Sequence, residues 1–182
     1  MIMINVYMKS FIKNLRKNAG FTLIELLVVI GILGVLAAAL IATIDPFEQI
    51  KKANDTNSKN TTVEFINANI RYYTTHGKLA WEAGQVSGCV SSATNLNAAA
   101  AQNCIDGLIA DGELKSAFNN ASSVLETVRY TGSTSNVIAC YSPDSKSGQE
   151  DPNTIYNSSG TVTTGCKSQT SSGGTDCYWC SQ

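Results

Sequence analysis

Apolar and polar positions divide the chain into three regions. From Phe21 to Ile44 the sequence FTLIELLVVIGILGVLAAALIATI is apolar on every side of a helix, and Glu25 is its only charged residue. A helix without a polar face belongs in a core or a membrane, not on a protein surface. Its 24 residues give roughly 36 Å of helix, enough to cross a hydrocarbon layer of about 30 Å. Beyond Pro46 the pattern becomes amphipathic. Phe47, Ile50 and Ala53, then Phe65, Ile66, Ile70 and Tyr73, recur at helical spacing with a polar stretch between them. A helix to about Tyr73, stopped by Gly77, is predicted. Its polar turns are expected to face solvent or other chains and its apolar end a sheet. Pro46 lacks a backbone donor and disfavours helix at Asp45, so a kink or short break is expected there.

The remaining pattern is shorter in period. Residues 79–123 read as irregular with two helical pieces, ATNLNAAAAQNC and CIDGLIADGELKSAFNN. SVLETVRY (123–130) and NVIACYS (136–142) alternate as strands around the turn-like TGSTS, and NTIYNSSGTVTTGC repeats the scheme around NSSG. The fold class expected is α+β: a long N-terminal helix, spanning a membrane in its first half, against an antiparallel sheet of about four strands. No repeat of solenoid length is visible.

Charge changes this picture in one place. Residues 1–20 hold Lys9, Lys13, Arg16 and Lys17 and no acid, which leaves residues 21–182 at about −5 of the chain's net −1. Such a body is not built to grip phosphate backbones, which argues against nucleic acid as a ligand of the bulk surface. Basic residues ahead of the span keep the N-terminus in the cytoplasm and export the C-terminal body. An ordinary secretory signal has a shorter apolar core and then a small-residue cleavage site. LAAALIA offers small residues, but the apolar run is too long for that class.

Six cysteines, Cys89, Cys104, Cys140, Cys166, Cys177 and Cys180, all lie beyond the span. An even number on the exported side points to disulfides in an oxidising compartment, with 15 pairings open. A bridge between Cys89 and Cys104 would bracket the first helical piece. A bridge from Cys166 to Cys177 or Cys180 would hold the Gly/Ser/Thr-rich tail, leaving a third cysteine for Cys140. CYWC (Cys177–Cys180) also has the spacing of a redox pair or of half a zinc site, but zinc needs further ligands and His76 is the sole histidine.

Glu25 is the position that asks for chemistry. TLIE (Thr22–Glu25) fits a capping box, in which Thr caps the helix and the acid three residues later bonds back, and an acid in the first turn suits the helix dipole. Capping alone would be served as well by Gln. An acid within a membrane segment costs about 2.5–3.5 kcal/mol at the centre, less near an end, and marks a functional position by default.

GFTLIELLVVIGILGVLAAAL (Gly20–Leu40) resembles the class III signal of type IV pilins and type II secretion pseudopilins: a basic leader ending in Gly, then Phe, a few apolar or Thr residues, Glu and a long apolar run. The resemblance covers about 25 residues. It implies a leader, 1–20, cut by prepilin peptidase between Gly20 and Phe21, with Phe21 becoming N-methylated. It implies a long helix over 21–75, with 21–44 as transmembrane segment and then filament core, and a disulfide-stapled head over 76–182. It also supplies a partner for Glu25. Cleavage frees an α-amine with an ordinary pKa of about 7.7–8.0, and in pilins the corresponding acid meets the amine of a neighbouring subunit. The same pair within one chain is open too, since residues four apart share a helix face.

Gly31 and Gly34 are poor helix formers. Close helix packing explains them, and so does the family's unwinding between Gly34 and Pro46 on assembly. Pro46 lies a few residues later than the helix-breaking proline of many pilins, so the limit of such a segment does not carry over. A C-terminal cysteine loop on the filament surface is implied; its pairing is not.

No catalytic constellation emerges, so an enzyme is not expected. His76, in THGK, suits a helix C-terminus. Asp144, Glu150 and Asp151 are hard oxygen ligands of the kind calcium takes, but Lys146 occupies the middle ligand position of the usual loop; a solvated turn is the simpler reading. No metal or other cofactor is expected. The function expected is a structural subunit of a type IV pilus-like filament (adhesion, motility or DNA uptake), with a type II secretion pseudopilin as the alternative. A single-span protein displaying a binding module is a further one. The implied partners are other copies, minor pilins, prepilin peptidase and the inner-membrane assembly platform. The implied location is the inner membrane before assembly and the cell surface after it.

Overall fold

The computed structural model describes residues 20–43, 45–93, 95–163 and 177–182. The basic leader, Cys166 and the Gly/Ser/Thr-rich stretch after Thr163 lie outside these. The chain forms two units, one up to Asp45 and one from Pro46 to Gln182.

The first unit is helix α1, Leu23–Thr43. Leu, Ile, Val and Ala propagate it, and it contains both Gly31 and Gly34 without interruption. No atom lies within 4 Å of where a Cβ would stand on either glycine. The close-packing reading therefore has no partner among the described residues.

The second unit opens with α2, Pro46–His76. Asp45 is not helical, and Pro46 takes the first helical position, where its missing N–H costs nothing and its fixed φ suits the helix. The expected break is there. At the other end Gly77 has φ +69° and its N–H reaches Tyr73 O at 2.8 Å, the left-handed stop that glycine makes without strain.

Around α2 come β1 (Ser92–Ala93), α3 (Ala99–Ala110), a 3₁₀ turn (Ser116–Asn120), α4 (Ser122–Leu125), β2 (Val128–Gly132), β3 (Val137–Tyr141), α5 (Lys146–Gln149) and β4 (Trp179–Ser181). The four strands form one antiparallel sheet in the order β1-β2-β3-β4. Tyr130 lies opposite Ala139, and Cys140 opposite Cys180.

Period-two alternation in β3 splits the sheet's two faces. Val137, Ala139 and Tyr141 join Phe65, Ile66 and Tyr72 of α2 in the main core, whereas Ile138 and Cys140 pack with Tyr156, Tyr178 and Cys180 on the outer face. At the centre, Tyr130 has Phe65 at 5.0 Å and Trp81 at 6.0 Å between ring centroids. Phe65 and Tyr130 are fully buried and Trp81 partly so; full burial of one such side chain contributes about 1.5–3 kcal/mol.

Several expectations are corrected. SVLE begins a helical turn, α4, and only VRYTG is strand, because Leu125 must drop into the core ahead of the sheet. The two helical pieces fuse into α3 across Cys104. The NSSG turn exists: Asn157 Oδ1 accepts from Ser159 N and Thr161 N, and Gly160 sits at φ +76°. Among the described residues its arms are joined by an isolated bridge, Tyr156 to Val162, and Tyr156 is bridged to Tyr178 as well; the sheet's fourth strand comes from the C-terminal WCS. The polar stretch of α2 does not simply face solvent. Asp55, Ser58 and Thr62 are buried, and each has a partner: loop amides for Asp55, Thr127 Oγ1 at 2.9 Å for Ser58, and Ser58 O at 2.7 Å for Thr62.

Burial pushes the Tyr130 phenol up to about 12, and Tyr141 is pushed up as well, by burial first and then by Asp55 and Asp151. A raised phenol pKa means that the neutral form is favoured by folding. Its stabilisation is whole below about pH 10 and is lost as pH rises through the folded value. Spectrophotometric titration of tyrosinate should show two late phenols that ionise together with unfolding. Ionisation of all seven tyrosines near the ordinary value in a folded head would contradict this.

Candidate functional site

Two sets of side chains carry more than packing. The first is the start of α1. Gly20 and Phe21 are exposed and not helical. Thr22 caps the helix: its Oγ1 accepts from Glu25 N at 3.3 Å, while Glu25 Oε2 accepts from Thr22 N at 2.9 Å and from Thr22 Oγ1 at 2.8 Å. The capping box is complete. Among the described residues the carboxylate's donors, Thr22 N and Thr22 Oγ1, are neutral and solvate the charge by dipoles. A cation produced at Phe21 would arise beside it.

The rest of α1 is exposed along its described length. Its large apolar side chains from Leu23 to Ile41 are each at least 48% exposed, and the 19 residues between those two are long and apolar enough to cross a membrane. Burying such a surface is worth about 25 cal/mol per Å², so lipid or other helices must take the place of water around it.

The second set joins α2 to the loop ahead of α5. Asp55 accepts from Asp144 N and Ser145 N, each at 2.9 Å, and from Ser145 Oγ at 2.5 Å; Glu48, two turns earlier, accepts from Lys146 N at 2.6 Å. Three successive amides thus end on two carboxylates of one helix. Ser145 completes the turn by accepting from Gly148 N. The only signals of this clasp along the chain are two acids seven residues apart on a helix and the turn-suited stretch SPDSKSG (142–148). Asp55→Ala would leave two amides and a buried hydroxyl without acceptors, at about 1–3 kcal/mol each when unsatisfied. Thermal melting should show a loss of roughly 3 kcal/mol, with Asp55→Asn recovering part of it.

The other predicted positions fall apart chemically. Asp144 and Glu150 are exposed and Asp151 Oδ1 accepts from Asn153 N at 2.8 Å, a turn device. No group of three or more His, Cys, Asp or Glu suited to a metal occurs among the described residues. His76 ends α2, stacked on Tyr72 at 4.1 Å with Nε2 3.5 Å from Asp111. The disulfides are Cys89–Cys104 and Cys140–Cys180, and Cys177 is also disulfide-bonded. Cys180 is committed to β3, so the CYWC redox and zinc readings are overturned.

Compared with known families, residues 15–41 match the model of the prokaryotic N-terminal methylation motif. That match covers 27 of the 182 residues and supports, over those residues, a signal of the type IV pilin and pseudopilin class. The α+β architecture, an apolar N-terminal helix and, in the second unit, a small antiparallel sheet, is of the kind the resemblance implied. No curated protein and no solved structure gives a significant match to the chain. The motif stops within α1, so the head rests on its own geometry.

Proposed function

We propose that this chain is a structural subunit of a type IV pilus-like filament, cut by prepilin peptidase between Gly20 and Phe21, methylated on Phe21, and assembled through α1. Before assembly it sits in the inner membrane with its N-terminus in the cytoplasm. After assembly by an inner-membrane platform, with minor pilins at work beside it, the disulfide-stapled head faces the cell exterior. The observation that carries this reading is a capped carboxylate at the start of an apolar helix whose large side chains are exposed. In lipid or a helix bundle a lone carboxylate and a lone ammonium are each costly, and the pair far less so. Glu25 then selects the position at which a subunit docks, since only an amine at the right height cancels its charge.

Mass spectrometry of the mature chain from cells containing prepilin peptidase tests the first step. An N-terminus at Phe21 carrying one extra methyl is expected. An intact leader, or a cut beyond residue 40, would instead favour a single-span protein that never polymerises.

A further inference from the structure

The first two turns of α2 present an unusual surface. Phe47 is 74% and Ile50 58% exposed, and Lys51 and Lys52 are exposed beside them. Phe47 and Ile50 are one turn apart and lie along the line of the helix that, further on, carries Phe65, Ala68 and Tyr72 into the core. The apolar stripe therefore begins before the head's own cover does.

The charges near this stripe are sorted. Glu48 is turned to the Lys146 amide, and Asp55 is buried against the amides of Asp144 and Ser145. Asp45 precedes the helix at the break. Lys52 also borders a shallow polar pocket with Asp55, Lys59 and Asp151. The carboxylates of the clasp are thus drawn onto the head, and the lysines of the same two turns stay outside it.

Chain connectivity says what meets this surface. The uncharged run from Leu26 to Ile44 is about 28 Å of helix, close to the thickness of the hydrocarbon layer. Phe47, Ile50, Lys51 and Lys52 follow the end of that run by only three to eight residues, so chain connectivity itself keeps them near the edge of such a layer. That is the depth range in which amphipathic segments rest among headgroups, with lysines reaching back along their stems to phosphates.

We propose that the segment Pro46–Lys52 is a lipid-docking surface of the head, Phe47 and Ile50 entering the outer boundary of the bilayer and Lys51 and Lys52 binding anionic phospholipid headgroups. The proposal rests on the reading of α1 as membrane-inserted. It gives the unassembled subunit a second attachment, besides the span, which must be released as the subunit enters a polymer.

The test uses the full chain reconstituted at high dilution into vesicles containing nitroxide-labelled lipid, with tryptophan emission read as the difference from wild type. Leu33→Trp should be quenched by lipids labelled deep in the acyl chain. Phe47→Trp should be quenched by headgroup-labelled lipid, more by phosphatidylglycerol than by phosphatidylcholine carrying the same label. Each lysine near an anionic surface strengthens the attraction of its segment about fivefold, so Lys51→Gln/Lys52→Gln added to Phe47→Trp should bring the two quenchers level.

If Leu33→Trp escapes the deep quencher, the membrane reading of α1 fails and the docking surface with it. If Leu33→Trp is quenched and Phe47→Trp is untouched by headgroup label, or is quenched equally by both lipids, the docking surface alone is refuted. Protection of Phe47→Trp that appears only as protein is raised relative to lipid assigns the stripe to a second copy of the chain, which also overturns the proposal.

Discussion

Glu25→Gln is expected to abolish filament assembly while leaving membrane insertion, cleavage and the folded head as they are. Gln retains an oxygen that accepts from Thr22 N and Thr22 Oγ1, the two bonds that Glu25 Oε2 makes, so α1 still starts where it does. It loses the negative charge alone. Removing one partner of an ion pair in a poorly hydrated site costs about 3–5 kcal/mol, because the other charge is left uncompensated. A subunit whose new α-amine finds only a neutral amide would dock with an affinity lower by two to three orders of magnitude, on the scale of tenfold per 1.4 kcal/mol. Repeated at every addition, a loss of that size leaves no polymer. The measurement is filament yield in sheared surface fractions, normalised to mature subunit in the membrane and to the N-terminal mass. Wild-type yield from correctly cleaved Glu25→Gln would remove the charge from the mechanism. Failure of cleavage itself would place Glu25 in peptidase recognition instead.

The local structure of this N-terminus was legible in the sequence, because each of its cues is local. A Thr and a Glu three apart predict a capping box, and the box is there. Proline at the first position of α2 and glycine just past its end act as local rules expect. Where local cues were all that mattered, as in β3 and the Asn157–Gly160 turn, the reading also held.

The sheet's membership was not legible, for a physical reason. β1 has two residues and β4 three, too short for a period to show, and both are held by what they pair with. SVLE has the composition of a strand, yet it coils into α4, where Leu96 N donates to Leu125 O and Val128 O at 3.0 and 2.9 Å. The clasp was hidden for the opposite reason. Asp55 and Ser58 belong to a stretch polar enough to be read as solvated, and their burial depends on loop amides 89 and 90 residues away for Asp55 and on Thr127, 69 residues away, for Ser58.

The tail supplies the second large effect. Replacing both Cys140 and Cys180 by Ala should cost the head about 4 kcal/mol, since the bridge closes a separation of 40 residues and the loop-entropy cost removed from the unfolded chain grows with that length. Cys89–Cys104 spans only 15 and is worth about 3 kcal/mol on the same scale. The larger figure should also be the more faithfully realised. Cys140 and Cys180 lie directly opposite each other in the β3–β4 ladder, so the native strands already hold the geometry that the bond needs. What the bond retains is a strand of three residues whose middle neighbour matters: Trp179 stands 5.6 Å from Tyr141 by ring centroid, with the Lys59 ammonium 4.6 Å above its indole. The three ladder pairs and the Tyr156–Tyr178 bridge hold the segment only weakly against the entropy of ordering it, about 1–2 kcal/mol per residue, and the disulfide at Cys177 lies outside the strand. The double variant should therefore melt roughly 10 °C lower and show red-shifted Trp179 emission below that melt, as β4 leaves first. The Cys89→Ala/Cys104→Ala protein should melt in one step with Trp179 still in place. An unshifted melt for the Cys140/Cys180 variant would mean that the strand is held by its side chains, and that the covalent link adds nothing to them.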